Sequence, residues 1–126
     1  MEKIKVVIVD TEKGFRVEKI DNSLDKFYEI IKCRCIDIAT RRIGEKKKYY
    51  DIIVDDEGLL VGSKISAINK EGKPQLVGNL IITNYDEEGN TTSLTDDDIE
   101  YIMEHTQSFL HKITFEVYHL LLDVEY

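Results

Sequence analysis

QLVGNLIITNYDEEGNTTSLTDDDIEYIM, residues 75–103, is the stretch around which the rest of the chain reads. Val77 to Tyr85 is rich in β-branched residues and alternates as a strand does. Asp86-Glu87-Glu88-Gly89-Asn90 is turn chemistry, with Gly89 and Asn90 both able to take positive φ. A short extended return follows. Thr95 then stands where a helix N-cap belongs, with Asp98 three residues on, a variant of the capping box. Asp96, Asp97 and Asp98 fill the first turn, where negative charge complements the helix dipole. Taken blandly, this is a well-terminated strand-to-helix unit.

Working outward, Lys3 to Val9 (KIKVVIV) is an apolar run that reads as a buried first strand. The turn Asp10–Gly14 and the alternating Phe15 to Ile20 complete a hairpin. Asn22 or Ser23 caps a helix running to about Lys32, with Leu24, Phe27, Tyr28 and Ile31 on one stripe. Cys33 to Arg42 returns as a strand and pairs with Tyr49 to Val54 across the turn Gly44–Lys48. Asp55–Gly58 closes that unit, Leu59 to Asn69 carries short extended pieces, and Lys70–Pro74 turns again. The helix that starts at Thr95 runs on to roughly His111, with Ile99, Ile102, Met103, Phe109, Leu110 and Ile113 near one side. Thr114 to Tyr126 fits either element. Its β-formers favour a last strand, one that could pair with another subunit from the edge of a sheet. The expected fold is α+β: one domain over residues 1–126, a mostly antiparallel sheet and two helices, about 22–32 and 95–111.

With 126 residues the chain suits one core. Acidic residues outnumber basic ones 25 to 17, a net charge of −8 that argues against broad binding to nucleic acid polymers or anionic membranes. No apolar run reaches a bilayer span and no signal-peptide pattern opens the chain, so a cytoplasmic location is expected.

Several groupings have ordinary explanations. Cys33-Arg34-Cys35 lacks the spacing and the second pair of a zinc site, and reads as two small buried thiols. His105, His111 and His119 follow no metal spacing. Asp55-Asp56-Glu57 and Asp96-Asp97-Asp98 could take a divalent cation if they met in space, but neither has calcium-loop spacing. No nucleophile elbow, phosphate-binding glycine loop or Ser-His-Asp order is present, so neither enzyme chemistry nor a cofactor is expected.

Arg41 to Tyr50 is more informative. Five of the 17 basic residues fall within eight positions, 41–48. Arg41 and Arg42 supply forks for phosphate, Lys48 a point charge and Tyr49 a stacking face. An exposed hairpin tip kept soluble by charge would look the same. Beside the central strand, Asn84, Asn90 and Thr92 offer amides and a hydroxyl next to the Tyr85 ring. That is what a nucleotide pocket needs, and also what a turn needs.

YDIIVDDEGLL, AINKEG and VGNLIITNYDEEGNTTSLTDDDIEYI, with the opening KIKVVIVDTEKGFRVEKIDNSLDKFYEIIKCRCIDI, resemble small single-domain proteins of bacteriophages and prophages, many of them filed as a domain of unknown function. The resemblance spans roughly residues 1–105, and its most specific parts are GNLII and SLTDDDI. Within that group the layout is similar to the Thoeris anti-defence sponges of the first type. Such sponges are non-enzymatic, assemble as dimers or higher oligomers, and sequester cyclic ADP-ribose isomers made by bacterial TIR-domain sensors. The resemblance implies the same here: a homo-oligomer that binds a cyclic ADP-ribose-type signal without turnover in the host cytoplasm. Local chemistry then assigns Arg41, Arg42 or Lys48 to the pyrophosphate, Tyr85 or Tyr49 to adenine, and Asn84, Asn90 and Thr92 to base or ribose. Two other expectations stand beside it: an acidic protein–protein inhibitor that docks on a basic host protein or mimics DNA, and a metal-dependent enzyme built on the two acidic clusters.

Overall fold

The computed structural model describes residues 2–43, 48–57, 65–68, 74–110 and 116–121. The hairpin of β1 (Lys3–Asp10) and β2 (Gly14–Asp21) leads into α1 (Leu24–Ile31). Next come β3 (Ile36–Arg42), β4 (Tyr49–Asp55), β5 (Ile65–Ile68) and β6 (Pro74–Val77). β7 (Leu80–Tyr85), β8 (Thr91–Thr92) and α2 (Asp96–Glu104) follow, then β9 (Thr106–Leu110) and β10 (Glu116–Leu121). The main sheet runs β2-β1-β7-β4-β3, with β8 added to β7, and every pairing in it is antiparallel. A second sheet runs β6-β5-β10-β9, with β10 parallel to β5.

The sequence behind this is a set of apolar runs that do not alternate with polar residues. In β1, Ile4, Val6 and Ile8 pack with Ile53, Ile81 and the α1 residues Phe27 and Ile31. The intervening Val7 and Val9 pack with Tyr50, Ile52, Leu80, Ile82, Ala67 of β5 and Ile102 of α2. Side chains leave a strand to alternate faces, so VVIV and LII are continuous because both faces of the central strands are covered. Such runs are the rule in parallel sheets; here an antiparallel sheet has them because α1 covers one face, and α2 with part of the second sheet covers the other.

Helix caps sit where the sequence put them. The Ser23 hydroxyl accepts the Lys26 N–H, and Thr95 and Asp98 form the reciprocal capping box. α1 closes on Lys32, whose backbone is left-handed at φ 63 and whose N–H donates to the Tyr28 carbonyl at 2.8 Å. A side chain there costs about 1–2 kcal/mol, and glycine loses about 0.5–1 kcal/mol more backbone entropy on folding. Lys32→Gly is therefore expected to stabilise the fold by about 0.5–1 kcal/mol, read as a higher urea midpoint with unchanged slope.

Five expectations need correction. The strand read over Val77 to Tyr85 is two strands, because Gly78 at φ 79 breaks the chain between β6 and β7. Pro74, read as part of a turn, opens β6, where a proline can start a strand. Cys33 and Cys35 precede β3 rather than lying in it, and Cys35 is exposed. The second helix stops at Glu104 instead of reaching His111. The apolar stripe of Ile99, Ile102 and Met103 would next need an apolar residue at 106, but Thr106 stands there and its hydroxyl donates to the Met103 carbonyl at 2.8 Å. Residues 106–110 instead pair as β9 with β10, the strand expected in the tail, and β10 lies between β5 and β9 rather than on the sheet edge expected for it. The turn read over Gly44–Lys48 lies outside the described residues except for Lys48. The pieces read over Leu59 to Asn69 also fall outside them, except for β5.

Candidate functional site

The turn after β7 is built by its own aspartate. Asp86 accepts from the N–H groups of Glu88 (3.0 Å) and Asn90 (2.9 Å) and from the Asn90 amide (3.2 Å). The Asn90 N–H leads in holding that carboxyl below its ordinary value. Gly89 takes positive φ, 84, whereas Asn90 does not. Asn90 is therefore tied into the turn.

On the α2 face of the sheet the structure gathers residues around Asp98. This carboxylate is 2% exposed. Its Oδ1 accepts from Lys48 Nζ (2.9 Å) and the Tyr50 hydroxyl (2.8 Å). Its Oδ2 accepts from the Asn84 amide (2.8 Å), the Thr95 N–H (3.1 Å) and the Thr95 hydroxyl (2.8 Å). Burial alone would raise the Asp98 pKa, but Lys48, Asn84, Thr95 and Tyr50 outweigh it and hold the carboxyl well below the usual range. Burial, then the hydrogen bond to Asp98, push the Tyr50 hydroxyl well above the tyrosine range. With both oxygens engaged and the proton gone, Asp98 pins the start of α2 to β4 and β7. Lys48 and Asn84, both candidates from the sequence, are engaged by this carboxylate.

The α1 face of the same strands is layered. Ile38 stands opposite Ile53, and Ile53 opposite Ile81, forming an apolar row. Next comes the polar row Thr40–Asp51–Thr83, in which the Thr40 hydroxyl donates to Asp51 at 2.9 Å. The Thr83 hydroxyl in it is buried with no hydrogen-bond partner among the described residues. Beyond it Arg42 stands opposite Tyr49, its guanidinium carbon 5.9 Å from the ring centroid. The pairing of β4 with β7 ends at Asp51 and Thr83, and alternation along each strand puts Tyr49 and Tyr85, two residues further on, on this same face. By the same alternation Tyr50 and Asn84 lie on the other face, where both reach Asp98. Tyr49 is 46% exposed and Tyr85 39%. The result is one guanidinium and two open rings on one face of three neighbouring strands.

The eight residues read from the sequence thus separate. Arg42, Tyr49 and Tyr85 share this face. Lys48 and Asn84 lie behind it on the opposite face, Thr92 pairs with Asn84 from β8, and Asn90 belongs to the turn. Arg41 lies opposite Tyr50, on the face turned away from Arg42. Sequence reading missed the roles of Tyr50 and Asp98 beyond the helix cap. The available signal was parity: Lys48, Tyr50 and Ile52 share one side of β4, so an apolar neighbour marked Tyr50 as an inward residue.

The two acidic clusters do not meet. Asp98 reaches Tyr50 at the start of β4, whereas Asp55 ends that strand, roughly 15–20 Å away at about 3.3 Å per residue. Among the described residues no group of His, Cys, Asp and Glu could hold a metal ion, and no helix is long and apolar enough to cross a membrane.

No curated protein and no solved structure matches the chain. A family model described as a domain of unknown function, DUF3846, matches residues 4–107, from β1 into β9. It takes in both faces of the main sheet, the Asp98 cluster and Arg42, Tyr49 and Tyr85, and on that match the chain belongs to the DUF3846 domain family.

Proposed function

We propose that this protein is a non-enzymatic trap for a cyclic ADP-ribose-type signalling nucleotide, which it holds unaltered so that Thoeris immunity is not switched on. The observation that carries this reading is that Arg42, Tyr49 and Tyr85 share one face of the sheet, with Arg42 beside the Tyr49 ring and both rings open. Single exposed rings are ordinary surface features. Two open rings on one face of a sheet, one of them beside a guanidinium, have the chemistry of base stacking with an anion fork close by. Adenine stacks on Tyr49 or Tyr85, and Arg42 takes the pyrophosphate. The fully engaged Asp98 fixes the strands from behind, so the platform is held in shape before a ligand arrives.

Binding without turnover predicts saturable heat in titration calorimetry with cyclic ADP-ribose isomers. The mass of the molecule recovered after denaturing the complex should be unchanged. A stacked base is worth about 1–3 kcal/mol, so Tyr49→Ala or Tyr85→Ala is expected to weaken binding about tenfold or more, and Arg42→Ala comparably. Absence of heat with every isomer, or recovery of a hydrolysed product, would sink the proposal.

A further inference from the structure

Among the described residues β3 ends the main sheet, and its outer side has an unusual symmetry. The Asp56 N–H donates to the Cys35 carbonyl at 3.0 Å, and bonded pairs in an antiparallel ladder recur at every second residue. Asp37, Ala39 and Arg41 therefore turn their backbone groups toward β4. Ile36, Ile38, Thr40 and Arg42 turn theirs outward. Two side-chain contacts agree: Asp37 Oδ1 accepts the Ile38 N–H at 2.9 Å, and the Thr40 carbonyl accepts from Arg41 Nη1 at 3.1 Å. Ile38, in the middle of this edge, is 47% exposed.

We propose that a second copy of this chain docks on this edge, β3 against β3 and antiparallel, about a twofold axis at Ala39. The segment Asp37-Ile38-Ala39-Thr40-Arg41 is charge-complementary to its own reverse. Centred on Ala39, Asp37 stands opposite the partner's Arg41, and Arg41 opposite the partner's Asp37. Ile38 and Thr40, both outward, form bonded pairs with the partner's Thr40 and the partner's Ile38. Moving the centre to Ile38 sets Arg42 against the partner's Arg34, and moving it to Thr40 sets Arg41 against the partner's Ala39. Only the Ala39 register matches both charges and closes on itself, as an isologous interface requires. In the free chain Asp37 and Arg41 cap the outward N–H and carbonyl of this edge. In the pair those backbone groups bond across the axis, and the two side chains are released to bond each other. The outward row of a sheet edge is the natural template for strand addition.

The test is sedimentation of the full chain over a wide concentration range. The wild type is expected to show a concentration-dependent dimer. Asp37→Arg sets like charges across the axis twice and is expected to weaken it about tenfold or more; adding Arg41→Asp to the same chain restores it. Ile38→Pro removes an outward N–H that the sheet itself does not use, so the fold survives by circular dichroism while the dimer is lost. A wild type that stays monomeric throughout overturns the proposal and leaves the edge to its caps or to a foreign strand. A dimer indifferent to Asp37→Arg and Ile38→Pro also overturns it. None of these readouts involves a nucleotide, so failure of the trap and failure of the dimer remain distinguishable.

Discussion

Asp98→Ala is expected to destabilise the fold by about 3–5 kcal/mol, out of a total of about 5–15 kcal/mol for a domain of this kind. Five hydrogen bonds converge on this carboxylate. Its removal leaves the fully buried Tyr50 hydroxyl as a donor without its acceptor, at about 1–3 kcal/mol, and takes one of two acceptors from the half-buried Asn84 amide, which keeps the Ser93 carbonyl. It also removes half of the capping box, so α2 loses its attachment to the sheet and part of its own N-terminus together. Lys48 is half exposed and recovers solvation, so it adds less. Urea denaturation followed by circular dichroism reads the loss as a lower midpoint; a change under about 1 kcal/mol would contradict this account.

The same site sets the response to acid. Asp98 has a lower pKa folded than unfolded. It therefore contributes stability that is present above the ordinary aspartate value of roughly 4 and is lost as pH falls through and below it. Asp98→Asn should flatten that acid limb of the stability curve while lowering its plateau. Tyr50 runs the other way. Its pKa is raised in the fold, so its contribution is present below the ordinary tyrosine value and is lost as pH rises past it.

Ile81→Ala and Ile82→Ala are each expected to cost about 2–5 kcal/mol, and by similar amounts. Both side chains are fully buried, yet they point to opposite faces of β7 and sit in different clusters. A sheet with one wet face would lose stability from only one of the two. Ile38→Ala on the edge strand serves as the control, with a cost of about 1 kcal/mol or less because its side chain is half exposed already. Measured by urea unfolding of the three variants, two large and matched losses beside a small one test whether the central strands are enclosed. A large difference between Ile81→Ala and Ile82→Ala would refute the enclosed arrangement.

Local signals carried most of the element order. Thr95 and Asp98 announced a helix start because capping acts within three residues, and Ser23 did the same for α1. The hairpin of β1 and β2 was legible because Asp10 and Gly14 close it within one turn. Misreadings arose where two neighbouring residues had to choose between elements with no local arbiter. Phe109 and Leu110 continue a helical stripe on paper, but pairing with β10 claims them. Gly78 is neutral in sequence until its φ of 79 separates β6 from β7.

The candidate site divides the same way. Residue type and proximity along the chain singled out Arg42, Tyr49 and Tyr85, but could not say that they share a face, since that depends on pairing across β3, β4 and β7. Nor could they say that Lys48 and Asn84 turn away toward Asp98, 50 and 14 residues distant along the chain. The chain by itself determined its helix starts, its first hairpin, its acidic surface and the residues able to stack or to hold an anion, because propensity, capping and charge act over a few residues. Only the tertiary structure decided which side of the sheet each of those residues occupies, because one step of register moves a side chain to the opposite face and register is fixed by the packing of both.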